Sequence, residues 1–221
     1  MGEANLQQQR IMNYELNKVR KHIVIARGFS SIFRPMYYPT VGTIILLTFT
    51  YMSMFPWVFR LMVLGVVYFF TVLLPVLTTY LYRRLLGWKL RELRERHKRF
   101  VPYAIHFLSY LCCMYLLDSI HMPRFITAIL FVSLLVQTCC IVINMCWKVS
   151  THSAGSGAVI GGLVAYSTIF GFNPIWWLCG TILLSGCVMS SRMVLLQHSL
   201  AQVLVGTLVG IACGFFGVII L

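Results

Sequence analysis

An all-α, polytopic transmembrane helix bundle is the fold class this sequence predicts, and three observations predict it. Mean hydropathy is +0.84. Only 10% of the 221 residues are charged, against roughly 25% in an average soluble domain. The apolar residues also fall in runs long enough to cross a hydrocarbon core, which takes about 20 residues each.

The runs lie at 36–55, 57–82, 102–117, 124–146, 154–171, 174–190 and 199–221, which gives seven spans. The third and sixth are short and the turn from Met54 to Trp57 is tight, so six is the competing count. The chain therefore divides into a basic amphipathic N-terminal segment, 1–35, and a transmembrane domain, 36–221. That first segment is polar and lacks a central apolar stretch, so no cleavable signal peptide is expected and the first span serves as its own signal. Neither an internal repeat nor a low-complexity linker breaks the pattern.

The eight cysteines, Cys112, Cys113, Cys139, Cys140, Cys146, Cys179, Cys187 and Cys213, all fall within or at the ends of apolar runs. They read as small buried hydrophobes rather than a disulfide or zinc framework, and no metal site is expected.

Charge distribution sets the orientation. With seven spans, the side that holds the N-terminus receives six basic residues from the tail and eight from the loop between the second and third spans. Lys148 and Arg192 join them, for sixteen of the eighteen in the chain; Arg60 and Arg124 fall on the other side. Basic residues in short loops mark the cytoplasmic face. Setting aside Arg96, Arg99, Lys148 and Arg192 as binding candidates still leaves twelve against two, so the site described below is expected on the cytoplasmic side. The tail "NYELNKVRKHIVIARGFSSIFRP" has the composition of an orientation anchor and is amphipathic enough to lie on an anionic membrane surface. Nucleic acid is not an expected partner, because no fold or aromatic platform accompanies the basic loop.

Polar groups beside or inside spans are costly and mark function, and three clusters of them fall on this same face. The first is "RELRERHKRFVP", Arg91–Pro102. The second is "KVSTHSAGSGA", Lys148–Ala158, where Ser150 and His152 precede a helix expected to begin near Ser153. A helix N-terminus stabilises an anion through its free N–H groups and dipole, although Ser150 and Thr151 equally serve as an N-cap pair. Gly155, Gly157, Gly161 and Gly162 are small enough to admit a neighbouring helix. The third cluster is "SSRMVLLQHSLAQ", Ser190–Gln202. If the chain is helical from about Leu195, His198 and Gln202 share a face. The Gln202 amide oxygen then accepts from one ring nitrogen and leaves the other free as a nucleophile. Arg192 offers a planar fork of donors for phosphoryl oxygens. Taken singly, each of these residues also suits a snorkelling or packing role. Together, two histidines and several fixed cations suffice for phosphoryl transfer without a metal.

These residues resemble the type 2 phosphatidic acid phosphatase superfamily of integral membrane lipid phosphatases. Its signatures are K-x6-R-P, P-S-G-H and S-R-x5-H-x3-D. Ser191, Arg192, five residues, His198, three residues and Gln202 keep the third, with Gln in place of the final Asp. "VSTH" keeps Ser150 and His152 of the second, with Val149 for Pro and Thr151 for Gly. For the first, the nearest equivalent is "RERHKRFVP", in which Arg96 and Arg99 precede Pro102 at altered spacing. The resemblance covers about residues 90–221, and "STHSAGSGA" and "QHSLAQVLVG" are similar to a divergent subgroup of the Bacteroides type.

The resemblance implies a hydrolase of the bacterial inner membrane acting on a lipid phosphate or isoprenoid diphosphate, with no cofactor. In it His198 attacks phosphorus to form a phosphohistidine and His152 protonates the leaving group. Arg192 and Arg99, with Arg96 or Lys148, hold the phosphoryl oxygens, and Ser150 adds a donor. Gln202 orients His198 but carries no charge. A non-catalytic phospholipid-binding or lipid-transport protein using the same cationic pocket is the alternative.

Overall fold

The computed structural model describes residues 20–85 and 100–220. Regular structure among them is entirely helical. Residues 20–32 form α1, and a 3-10 turn at Pro35–Tyr37 leads into α2, Tyr38–Phe49. A second 3-10 turn at Tyr51–Met54 precedes α3, Trp57–Leu85. Then follow α4, Phe100–Ser119; α5, Arg124–Cys146; α6, Thr151–Phe170; α7, Ile175–Val194; and α8, Leu200–Ile220. Of these, α3, α5, α6, α7 and α8 are each long and apolar enough to cross a membrane.

Local sequence explains the boundaries. Pro123 and Pro174 occupy the N-cap positions of α5 and α7, where a missing N–H costs nothing. α6 ends at Gly171, which takes the left-handed conformation at φ 64° that closes helices most easily as glycine. Inside α3, Phe69–Leu73 widens into a π turn, with the N–H of Leu74 donating to the carbonyl of Phe69. Pro75 follows directly. It cannot donate to the carbonyl four residues back and its ring crowds it, which displaces the ladder ahead of it.

The run predicted as the first span, 36–55, folds differently. α2 has 12 residues, about 18 Å at 1.5 Å per residue, short of the roughly 30 Å hydrocarbon core. Thr40 near its start hydrogen-bonds Thr71 at 3.2 Å, and Thr71 lies 14 residues from either end of α3, Trp57–Leu85. Thus α2 begins level with the middle of its neighbour. Hydropathy alone cannot see this, because the 3-10 turn at Tyr51–Met54 ends the helix inside the run without lowering its average.

The bundle has a largely apolar core that also buries a set of hydroxyls, and a greasy exterior. Ser150, Ser153, Ser156, Ser185 and Ser191 are buried, while Trp176, Leu183, Phe49 and Leu208 are exposed. Backbone and hydroxyl groups without water must bond internally. Accordingly Ser156 bonds Ser185 at 2.9 Å across α6 and α7, and Thr207 reaches the Met189 sulfur at 3.1 Å across α7 and α8. The cysteines are all free thiols. Cys113, Cys140 and Cys213 are buried as expected, but Cys112, Cys146, Cys179 and Cys187 lie exposed on the apolar exterior, where a small apolar side chain is equally at home.

The tightest interface joins α6 and α8, which run parallel. A side chain at Gly157 meets the Thr207 carbonyl, at Gly161 that of Ile211, at Gly210 that of Ala154 and at Gly214 that of Ala158. At Gly206 it lies 2.7 Å from the Ser150 carbonyl. The two backbones touch along their length, as small residues permit in a membrane. Gly161→Leu is therefore expected to abolish the folded bundle. Gly186, with nothing within 4 Å of its added carbon, should accept alanine with a change within about 0.5 kcal/mol. Thermal unfolding in detergent, followed by elution profile, checks both.

Candidate functional site

The seam between α6 and α8 sets the site. Opposing Gly206 across it is Ser150, whose N–H donates to the Gln202 carbonyl at 3.3 Å, so the start of α6 is stitched to the first turn of α8. The Ser150 hydroxyl is fully buried and accepts from the Ser153 N–H at 3.3 Å and the Ser153 hydroxyl at 3.0 Å. It is the N-cap of α6, one of the two roles read from the sequence. Asn144 at the end of α5 accepts the Val149 N–H at 2.8 Å and fixes the strand-like link into the cap.

His198 and Gln202 do pair, at 3.3 Å between Nδ1 and Oε1, but not on a continuous helix. α7 ends at Val194 and α8 begins at Leu200, so the expectation of helix from Leu195 is corrected. The contact arises from a capping box. The Ser199 hydroxyl accepts the Gln202 N–H at 3.4 Å, and Gln202 Oε1 accepts the Ser199 N–H at 3.2 Å. An oxygen facing that backbone donor can only accept, so His198 Nδ1 carries the proton and Nε2 keeps its lone pair. Burial, aided by the charges of Arg192 and Lys148, lowers the His198 pKa to about 4, against the smaller upward pull of the Gln202 hydrogen bond. The ring is neutral at pH 7.

The second and third clusters converge. His152 stands within electrostatic reach of Arg192, His198 and Arg34. Lys148 donates to the Gln197 carbonyl at 2.8 Å and so braces the loop that carries His198. Two groups point inward with buried atoms that make no hydrogen bond, His152 Nδ1 and Arg192 Nε. Arg96 and Arg99, from the first cluster, lie outside the described residues.

The N-terminal segment supplies what sequence reasoning missed. Ala26 and Ser30, one turn apart on α1, are buried. Ser30 Oγ accepts from Arg192 Nη1 at 2.8 Å, and its backbone faces the His152 ring. Arg34 adds a second guanidinium. A signal was present: Arg27, six residues, Arg34 and Pro35 have the spacing K-x6-R-P with Arg for Lys.

Asp118, at the far end of α4, is the only acid among the described residues. The cluster thus gathers Arg34, Lys148 and Arg192 around two imidazoles with no described carboxylate to neutralise them, an arrangement that favours an anion. Among the described residues no group of three or more His, Cys, Asp or Glu is placed to hold a metal ion.

Comparison with known proteins gives no match: no family model, curated protein or solved structure is similar to this chain.

The loop bearing His198 is strained. The N–H of Gln197 donates to the Arg192 carbonyl and that of Leu196 to the Met193 carbonyl, the double bond of a Schellman close. Leu196 takes the left-handed position at φ 52°, which costs a leucine about 1 kcal/mol or more. Since the Leu196 side chain is 93% exposed, Leu196→Gly is expected to stabilise the protein by about 1 kcal/mol, read as a raised unfolding midpoint in detergent.

Proposed function

We propose that this protein is a membrane-embedded, metal-independent phosphatase that hydrolyses a lipid phosphate or diphosphate through a phosphohistidine intermediate. The observation that carries the reading is the meeting of His152, His198, Arg34 and Arg192 at one end of the bundle without a described carboxylate. Arg192 and Arg34 hold the phosphoryl oxygens, with Lys148 bracing the loop and adding charge. His198 Nε2 attacks phosphorus while Nδ1–H stays on Gln202. The P–O bond to the lipid breaks, and His152 gives its proton to the leaving oxygen. Water then attacks the phosphohistidine, His152 takes the water's proton, and phosphate departs. The resemblance to type 2 phosphatidic acid phosphatases supports these roles, now with Arg27, Arg34 and Pro35 in the position of the first signature.

The reading includes seven crossings. α2 with the turn that follows it makes the first, α1 stays at the membrane face where Ser30 joins the cluster, and the cluster faces the cytoplasm of an inner membrane, as the basic loops argue.

Purified protein in detergent is expected to release inorganic phosphate from a lipid phosphate in the presence of EDTA. His198→Ala should lose about a thousandfold or more in rate, by analogy with removal of a nucleophile from a catalytic set. No release from a panel of lipid phosphates, or release that survives His198→Ala, refutes the proposal.

The depressed His198 pKa sets the pH profile. The nucleophile must be neutral, and in the free protein it is neutral above about 4. The acid limb of kcat/KM, which reports free-enzyme groups, is therefore expected near 4 rather than at the ordinary histidine value of about 6.5. Initial rates from pH 3.5 to 8 decide it.

The uncharged Gln202 favours a second reading, lipid binding without hydrolysis, because an amide cannot stabilise the imidazolium by charge. That reading expects anionic lipid to bind and Arg192→Ala to weaken it, with no phosphohistidine trapped after acid-free quenching of a reaction with labelled substrate.

A further inference from the structure

A cleft of about 720 Å³ opens inside the bundle, within the roughly 300–1,000 Å³ of pockets that enclose small ligands. Its walls come mainly from α2, α4, α5 and α6. None of Arg34, Lys148, His152, Arg192 and His198 lines it, so it is a second site, separate from the cationic cluster. Among the described residues around it there is no Lys, Arg, Asp or Glu either. An ion inside would lie away from water without a partner, which is expensive. The walls therefore select an uncharged occupant.

A bare hydrocarbon does not satisfy them. Tyr38 lines the cleft with its hydroxyl buried and without a hydrogen bond, a costly state unless a ligand supplies the partner. The Tyr38 ring is held against Gly155, where an added side chain would have no room. Gln137 donates its amide nitrogen to the Tyr103 carbonyl at 3.0 Å, which leaves its oxygen as an acceptor, and His106, one turn beyond Tyr103 on α4, adds a ring to the wall. These groups share one half of the cleft. Gly155 is one turn into α6, and Gln137 is two turns of α5 before Asn144, which accepts the Val149 N–H at the entry to α6. The other half is apolar, with Ile129, Phe170 and the edge-packed rings of Phe49 and Trp177, 5.1 Å apart.

Volume limits the size. At about 30 Å³ for each non-hydrogen atom, the share a water takes in the liquid, the 720 Å³ of the cleft holds about 24 such atoms. That suits one alkyl chain with a small head and is too few for a two-chain glycerolipid. We propose that the cleft binds an uncharged single-chain lipid with a hydroxylated head, of the monoacylglycerol kind. The Tyr38 O–H donates to the ester carbonyl or a head hydroxyl, Gln137 Oε1 accepts from a glycerol hydroxyl, and the chain runs toward Phe49 and Trp177. Binding there needs neither a phosphate nor hydrolysis, so this site stands or falls separately from the phosphatase reading. Lipid tails outside are as apolar as the far half of the cleft, so affinity comes from packing and the head contacts rather than from escape from water.

The test is equilibrium binding of radiolabelled monoolein to the full chain in phosphatidylcholine nanodiscs, with empty nanodiscs giving the partition background. Oleate, octadecane, oleoyl lysophosphatidic acid and dioleoylglycerol are the competitors. Unlabelled monoolein is expected to compete about tenfold more effectively than any of them. Tyr38→Phe keeps the ring, removes the hydroxyl and is expected to weaken monoolein about fivefold, the worth of one neutral hydrogen bond. Gly162 also lines the cleft, and a carbon added there meets only Val218 at 3.9 Å, so Gly162→Phe is expected to fill the space and abolish binding. Should this variant not fold, Val159→Trp on the same wall carries the same expectation. Equal competition by oleate, lysophosphatidic acid or octadecane, equal or better competition by dioleoylglycerol, or no effect of Tyr38→Phe or of the filling variant overturns the proposal. Phosphate release from a lipid phosphate is measured on the same preparation. Its absence beside intact, Tyr38-dependent monoolein binding refutes the phosphatase reading and leaves this site standing.

Discussion

Backbone contact between α6 and α8 is the constraint on which the rest of the molecule depends. Carbonyls of Ser150, Ala154 and Ala158 lie where side chains on Gly206, Gly210 and Gly214 would be, and the reverse holds for Gly157 and Gly161. Such a seam has one register, because sliding by a residue drives a side chain into a peptide group. Fixing the register fixes which turn of α8 faces the cap of α6, and so which residues Gln202 and His198 meet. Helix association in lipid gains little from burying apolar area. Close approach, with the dispersion contacts it brings, is what remains to specify the fold.

Around that fixed point the chemistry is assembled from short-range devices of ordinary kinds. Gln202 serves the capping box of α8 and the tautomer of His198 with one oxygen. This gives a physical reason for an amide at that position: the oxygen receives a backbone N–H and a ring N–H together, and neither contact needs a charge. Ser30 does similar double service, its hydroxyl engaging Arg192 while its backbone faces His152. Electrostatically the result is a site that is positive before any ligand arrives, with a neutral imidazole held among guanidinium and ammonium groups.

Much of this was legible in the sequence, and the failures have identifiable physics. Long apolar runs announced α3 and α5 to α8, since a helix buried in lipid must be apolar over its whole length. The spacing from Ser191 through Arg192 to His198 survived because it lies within one helix end and one loop. The shortness of α2 was hidden because hydropathy averages over the turn that ends it. The helical pairing of His198 with Gln202 was expected for the wrong reason, since nothing in the composition of "VLLQHS" warns that Leu196 will accept a left-handed turn. Ser30 and Arg34 were overlooked because they stand more than a hundred residues before His152, and a basic tail already had an explanation in membrane orientation. Only the tertiary fold distinguishes an anchor from a wall of the site.

The bond between Ser30 and Arg192 joins residues 162 positions apart, and that separation bears on biosynthesis. α1 emerges from the ribosome well before Arg192 and His198 are made. Until α8 is inserted, α6 displays its row of small residues with no partner, and neither imidazole has its neighbours. The cationic cluster is thus completed only when α8 docks on α6, so that a chain stalled before α8 lacks it altogether.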